Sequence, residues 1–328
     1  MQTEWLDGLN RTDLNRAVQL LQQGECVAVP TETVYGLAAD ARNADAVRGI
    51  FTAKGRPANH PLIVHLASAA HLPEWAIHIP AEAWLLADAF WPGPLTLLLH
   101  KAPNVPIEVT GGLPSIGLRV PAHPQLLALL QQLDSGVAAP SANPYKALSP
   151  TSAAQVIAGL EGRIAAVLDG GACEFGLEST IVDLTQPERS IRILRAGPIS
   201  RTAIEHVLGR PVEAPQQHHE AVPGNVQAHY QPLTSLHLYS SDELVELIHN
   251  GIDDDIGLLL WSPRLIGLLQ DRHSVHTLPD NALSFAQALY QTLHAADQHG
   301  YRQLWLERPP TSEEWLAIND RLMRASCE

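Results

Sequence analysis

Lys54 and Arg56 flank a glycine in the string Lys54-Gly55-Arg56-Pro57, and Ser141 and Asn143 flank an alanine in Ser141-Ala142-Asn143-Pro144. A compact ammonium and a forked guanidinium on one turn can grip the same polyphosphate. A hydroxyl and an amide on one face suit ribose or phosphate oxygens. Both strings also have a plain structural use. Cations after a helix meet its C-terminal dipole, and Asn is an ordinary turn residue. Ser149-Pro150-Thr151 opens a further helix, whose free N–H groups can hold an anion or simply be capped by Ser149 or Thr151. The stretch Pro-Thr-Glu-Thr-Val-Tyr-Gly-Leu at 30–37 offers hydroxyls, a carboxylate and a phenol beside a permissive glycine, the make-up of a ligand-reading loop. Together the strings at 30–37, 54–57 and 141–144 read as the wall of one nucleotide-handling pocket.

Two arginines need anions. Arg119 lies inside the apolar run 116–120, and Arg195 ends the run 191–194. A cation in a buried strand is costly unless paired. Its partner is either a protein carboxylate or the carboxylate or phosphate of a ligand, and the sequence leaves both open. The familiar phosphate loops, Gly-x-x-x-x-Gly-Lys-Ser/Thr and Gly-x-Gly-x-x-Gly, are absent. So are His-Glu-x-x-His and the Gly-x-Ser-x-Gly elbow. The 16 His, His218-His219 in the linker among them, lack ligand spacing, so neither a resident metal nor a covalent serine step is expected.

The elements that must position these groups follow from periodicity and breakers. Helices are predicted over 12–23 with Thr12 as cap, to Lys54 behind the cap Asn43, and over 81–90, 124–133, 151–160 and 200–208. Strands are predicted at 26–29, 62–66, 95–99, 116–120, 137–139, 165–168, 180–184 and 191–194. Residues 209–234 lose all period and carry Pro211, Pro215, Pro223 and Pro232, which marks an extended linker. Beyond it, strands at 236–239, 256–261, 274–278 and 303–306 alternate with helices at 242–249, 264–269, 282–299 and 313–324. That alternation is the pattern of a small parallel-sheet α/β domain. Domains are therefore placed at 1–208 and 235–328, with the linker at 209–234.

A chain of 328 residues fits two domains, and an apolar share of 45% suffices for full cores. The net charge is −14: −5 over residues 1–200 (13 basic, 18 acidic) and −9 after them (8 basic, 17 acidic). Such a balance opposes non-specific nucleic-acid binding, which sets Lys and Arg against phosphates. Cys26, Cys173 and Cys327 are far apart and form no Cys-x-x-Cys, which argues against a disulfide framework or structural zinc and suits a reducing compartment. The N-terminus has no basic-then-apolar leader, and no run approaches the roughly 18 apolar residues that span a bilayer. A cytoplasmic protein without membrane contact is expected.

This set of strings resembles the YrdC family. To those quoted above it adds Pro-Leu-Ile-Val-His (61–65), Gly-Leu-Arg-Val-Pro (117–121), Glu-Ser-Thr-Ile-Val-Asp (178–183) and Leu-Arg-Ala-Gly-Pro-Ile (194–199), in family order over about residues 10–208. The extension, with Pro223-Gly224, His229-Tyr230-Gln231-Pro232 and Ala-Ile-Asn-Asp-Arg-Leu at 317–322, resembles the longer threonylcarbamoyl-AMP synthases. One departure stands out. The family linker commonly reads Pro-Gly-Met-Lys-Tyr-Arg-His-Tyr, whereas 223–230 read Pro-Gly-Asn-Val-Gln-Ala-His-Tyr, without the two cations and one Tyr.

The resemblance implies an α/β fold: a twisted, open mixed-sheet catalytic domain and a smaller Rossmann-like parallel α/β C-terminal domain. It implies a nucleotidyltransferase that turns L-threonine, bicarbonate and ATP into threonylcarbamoyl-AMP and pyrophosphate. The product would serve the tRNA threonylcarbamoyladenosine modification through a downstream tRNA threonylcarbamoyl-transferase. By the same resemblance, Thr33, His65, Arg119, the Ala139 backbone and Ser179 hold threonine. Arg56, His60, Ser115, Ser141, Ser149, Arg195 and Tyr230 hold ATP, and Lys54, Arg56, Ser141 and Asn143 form the catalytic Lys-x-Arg and Ser-x-Asn pairs. Lys54 and Arg56 are expected to meet phosphate charge, and Arg119 the threonine carboxylate. Mg²⁺ is expected to arrive on ATP rather than in a protein cage. The linker is expected to cover a water-labile carbamate. The alternatives are a non-catalytic module for double-stranded RNA or weak tRNA binding, which the acidic balance disfavours, and a carbamoyl-handling domain of larger proteins, whose zinc-finger or kinase-like regions are absent.

Overall fold

Helix ends decide where the site residues stand. The computed structural model describes residues 2–214, 220–224, 229–269 and 274–326. The Asn43 side chain accepts from the N–H groups of Asp45 and Ala46 and starts helix Ala44–Lys54, as expected. Gly55 ends it in the left-handed conformation (φ 63°, ψ 33°), so the chain turns between Lys54 and Arg56. Two caps differ from expectation. Asn10, not Thr12, caps helix Arg11–Gln22, because its side chain accepts the Thr12 N–H. Helix Ala153–Leu160 is capped by Ser152, whose hydroxyl accepts from Gln155. The Thr151 N–H is taken by the Gln155 side chain at 2.7 Å, so the capping role read for Ser149 or Thr151 belongs to Ser152.

By Cα proximity the chain divides into two units: 1–145, 150–174 and 178–225 form one, and 146–149, 175–177 and 226–328 the other. Among the described residues the first is built on an 11-stranded mixed sheet, in which Ala76–Ile77 pairs with Leu95–Lys101 off the main path. Its central order is Val27–Val29, Gly36–Asp40, Val137–Ala138, Ile63–His65, Ser115–Arg119, Leu95–Lys101, Thr180–Asp183 and Arg192–Arg195, with Ala166–Asp169 and Glu4–Asp7 beyond Val27–Val29. Glu4–Asp7 and Gly36–Asp40 were not foreseen. Both are short, and Gly, Ala, Asp and Glu carry little strand signal. Alternate strand residues reach opposite layers. Val27, Val29, Ala166 and Leu168 pack with Leu14, Leu21 and Leu126 of helices Arg11–Gln22 and Pro124–Leu133, whereas Ala28, Val167 and Leu37 pack with Val47 and Ile50 of helix Ala44–Lys54. Each such large aliphatic side chain contributes about 1.5–3 kcal/mol on burial.

The second unit carries a four-stranded, all-parallel sheet in the order Ser235–Tyr239, Gln303–Glu307, Ile256–Leu260, Val275–Thr277. Helix Ser241–Asn250 opens with a reciprocal Ser240–Glu243 capping box. This is the expected small parallel α/β domain.

Part of the expected linker packs on the first unit. Glu213 exchanges backbone bonds with Ile191 and Ile193 at 2.9 and 2.7 Å, and Glu220 pairs with Arg192. Val222 is buried against Ile63, Leu98, Ile181 and Leu194. Residues 229–234 belong to the second unit. His218, His219, residues 225–228 and Cys327 lie outside the described residues. Among the described residues, no helix is long and apolar enough to cross a membrane.

Candidate active site

The three strings singled out in the sequence converge in the first unit. Leu37 N–H donates to Pro140 O at 2.7 Å, Ala142 N–H to Tyr35 O at 2.8 Å, and Tyr145 N–H to Lys54 O at 2.8 Å. Gly36 bridges to Ser141, and a side chain there would press on the Ala139 Cβ at 3.1 Å. The Lys54 ammonium ties the turns together: it donates to Ser141 O and Asn143 O, both at 2.6 Å, and to Asn143 Oδ1 at 3.1 Å.

Lys54 was expected to meet phosphate charge. An ammonium has three donors, and here all three meet protein oxygens, so none is aimed at phosphate. Burial and the charge of Arg56 push its proton affinity down, while the three oxygens hold the proton in place. Lys54 positions Ser141 and Asn143. Arg56, half-buried just past Gly55, donates to Pro61 O at 3.1 Å. His60 stands edge-on to Tyr145 with ring centroids 5.6 Å apart, and burial, then the Arg56 charge, lowers its pKa.

A second group gathers at the ends of neighbouring strands. Register sets His65 opposite Arg119, and Ile181 opposite both Thr96 and Arg195. The buried Arg119 guanidinium donates to Glu32 Oε1 at 2.5 Å, Thr33 Oγ1 at 3.0 Å and Gly93 O at 3.2 Å. Its anionic partner within the protein is thus Glu32, the protein carboxylate of the two alternatives left open by the sequence. The loop that supplies Glu32 and Thr33 is shaped by Thr31, whose hydroxyl accepts from the N–H groups of Thr33 and Val34 and donates to Val34 O at 2.6 Å. His65 is buried, its Nδ1 unpartnered among the described residues, and burial first, then the Arg119 charge, lowers its pKa to about 3. It is therefore neutral. The Ala139 N–H donates to Ile63 O at 3.0 Å.

Ser179 is fully buried and shares a hydroxyl hydrogen bond with Thr96 at 2.8 Å. Arg195, expected at ATP, donates to Ser179 O and Oγ at 3.0 and 2.9 Å and to Pro223 O at 2.9 Å. Ser115 begins its strand and lines a shallow cleft with Ile63, Thr96, Gly117, Val222 and Pro223. Segment 221–223, from the expected lid, is thus part of this lining. In the second unit, Ser149 O lies 3.4 Å from His294 Nε2. Tyr230, buried at φ 61°, packs by His229 (4.1 Å), Tyr290 (5.9 Å) and the Arg321 guanidinium (5.4 Å). Sequence reasoning named Glu32 without a role and missed Thr96. Both are hydrogen-bond partners supplied by distant strands and loops. Among the described residues no group of three or more His, Cys, Asp or Glu forms a metal-ligand set.

Residues 19–197 match the Sua5, YciO and YrdC family, described as telomere recombination, and residues 199–327 match the threonylcarbamoyl-AMP synthase C-terminal domain. The threonylcarbamoyl-AMP synthase of Pyrococcus abyssi is 37% identical over 319 residues, covering 94% of this chain and 93% of that one. The Bacillus subtilis protein of the same name is 36% identical over 334 residues, covering 97% and 94%. The crystal structure of P. abyssi Sua5 complexed with L-threonine matches with a TM-score of 0.87 at 34% identity, over 99% of this chain and 98% of that one.

Proposed function

The chain belongs to the Sua5, YciO and YrdC family, and from that premise we propose that it makes threonylcarbamoyl-AMP from L-threonine, bicarbonate and ATP. Adenylyl transfer is the reaction class. Threonine and bicarbonate give the carbamate with loss of water. A carbamate oxygen then attacks the α-phosphorus, the bond to the β-phosphate breaks, and pyrophosphate leaves. No protein nucleophile is needed, so positioning and charge stabilisation supply the acceleration.

The observation that carries this reading is the Lys54 ammonium joining the Ser141-Ala142-Asn143 turn to the Lys54-Gly55-Arg56 turn at 2.6–3.1 Å. It sets the Ser141 hydroxyl, the Asn143 amide and the Arg56 guanidinium on neighbouring turns for ATP, with His60 and Ser115. Arg119, with one N–H spare on each terminal nitrogen, takes the threonine carboxylate beside Thr33, neutral His65, the Ala139 carbonyl and Ser179. Arg195 reaches phosphate on release from Pro223 O, which couples the cover 220–224 to nucleotide binding. Ser149 and Tyr230 are assigned to ATP by family resemblance. Mg²⁺ fits a site whose ligand-facing groups are cations, hydroxyls and amides if it is bound through the ATP phosphates; its chemistry there is to neutralise phosphate charge. The product serves a transferase that modifies tRNA, in the cytoplasm.

The test is pyrophosphate release. It should require ATP, L-threonine and bicarbonate together. Release that ignores threonine and bicarbonate, or none under any condition, rules the reading out.

A further inference from the structure

Arg119 is held from three sides by Gly93 O, Thr33 Oγ1 and Glu32 Oε1. A guanidinium has five N–H donors, so one stays spare on each terminal nitrogen. Glu32 is the charged member of the three holders. The pair is deeply buried, with side chains 4% and 3% exposed, and Glu32 Oε2 has no hydrogen-bond partner among the described residues. A carboxylate left half-satisfied at that depth is costly and calls for a further donor. Its titratable neighbours do not supply a charge. Burial lowers the His123 pKa against the pull of Glu32, and His123 Nδ1 is itself buried without a partner. Burial, then the Glu32 charge, pushes the Cys173 thiol up to about 12.

We propose that Glu32 sets which class of molecule the threonine pocket accepts: a zwitterionic α-amino acid rather than a plain carboxylate. The proposal rests on the threonine role given to Arg119 above. Glu32 by itself already neutralises Arg119. A ligand carboxylate on the two spare N–H groups then leaves one negative charge in excess. An ammonium on the same ligand cancels it beside Glu32 Oε2. At this burial an uncancelled charge is expensive. Without Glu32 the balance inverts, and a plain carboxylate alone neutralises Arg119. Glu32 is thus a positioning residue for Arg119 and a filter on ligand charge.

The test uses the full chain and two ligands, L-threonine and 3-hydroxybutyrate, which keeps the carboxylate and hydroxyl but lacks the ammonium. Both are measured by calorimetry, and 3-hydroxybutyrate also as a competitor of threonine-dependent pyrophosphate release. In Glu32→Gln the preference for threonine should shrink by about tenfold or more, chiefly through tighter binding of 3-hydroxybutyrate, with ATP affinity unmoved. An unchanged preference overturns the proposal. Glu32→Asp covers the case in which the first variant does not fold. It keeps the charge, so it should keep the preference while binding threonine more weakly; loss of the preference overturns the proposal. Wild-type protein without threonine-dependent pyrophosphate release fails differently: it removes the parent reading, and this one with it.

Discussion

The two sheets treat buried polar groups in opposite ways. In the parallel sheet, Glu307 ends its strand fully buried and spends both carboxylate oxygens inside the unit. Oε2 accepts from Trp261 N–H and Ser262 N–H at 3.0 and 2.9 Å, and Oε1 from Ser241 Oγ at 2.8 Å. The adjoining strand Ile256–Leu260 is buried throughout and wholly apolar but for Gly257. In the mixed sheet, the strand ends carry His65, Thr96, Arg119 and Arg195, all buried. There, His65 Nδ1 and Glu32 Oε2 lack partners among the described residues. The first arrangement closes on itself. The second is incomplete until something else supplies the missing bonds, which is how a polar binding site differs from a polar structural node.

The strongest way to break that contrast is Arg119→Ala. It should cut threonine-dependent pyrophosphate release by about 100-fold or more, about 2.7 kcal/mol. It should also lower stability by about 3–5 kcal/mol, because Glu32 is left buried and alone. Adding Glu32→Gln should return the stability in denaturant titrations but not the turnover. Retained turnover in the single variant would remove Arg119 from the site.

Next comes the acid limb. The folded pKa of His65 is lowered to about 3, below the ordinary value of about 6.5. The unfolded chain therefore binds this proton more readily. Stability from His65 is full above about pH 6.5 and is lost as pH falls toward 3. His65→Gln should make the loss between pH 6.5 and 4.5 shallower by about 2 kcal/mol. Equal slopes for the two proteins would show that His65 is not neutral and buried.

Glu307→Ala sharpens the other side. Three donors lose their acceptor, which should cost about 3 kcal/mol of stability, with threonine affinity unmoved in calorimetry. A fall in threonine affinity would end the division between a closed and a receptive sheet. The smallest effect is expected for Lys54→Ala, about tenfold in turnover, about 1.4 kcal/mol. Loss of several orders of magnitude would instead mean that the ammonium meets phosphate during the reaction.

Local signals carried much of the fold. Helices Ala81–Phe90 and Pro124–Leu133 were readable to the residue, since each sits between prolines or turn residues and keeps its period. Strands as short as Glu4–Asp7 and Gly36–Asp40 were not, because four or five residues give too short a run for an alternation to be read. The start of helix Ala153–Leu160 was misplaced because 149–152 hold three hydroxyl residues able to cap, and Ser152 is the one whose side chain reaches a helix N–H.

What the sequence determined by itself was the inventory: two α/β units, the Lys-x-Arg and Ser-x-Asn strings, an arginine in each of two apolar strands, and the family resemblance. These rest on residue type and spacing, which are local and visible in one dimension. Tertiary structure alone decided the partners. Arg119 meets Glu32 across 87 positions and Lys54 meets Asn143 across 89. No local rule selects one carboxylate among the 35 acidic residues of the chain. Strand order and burial do, because only in a desolvated interior must every charge find a specific answer.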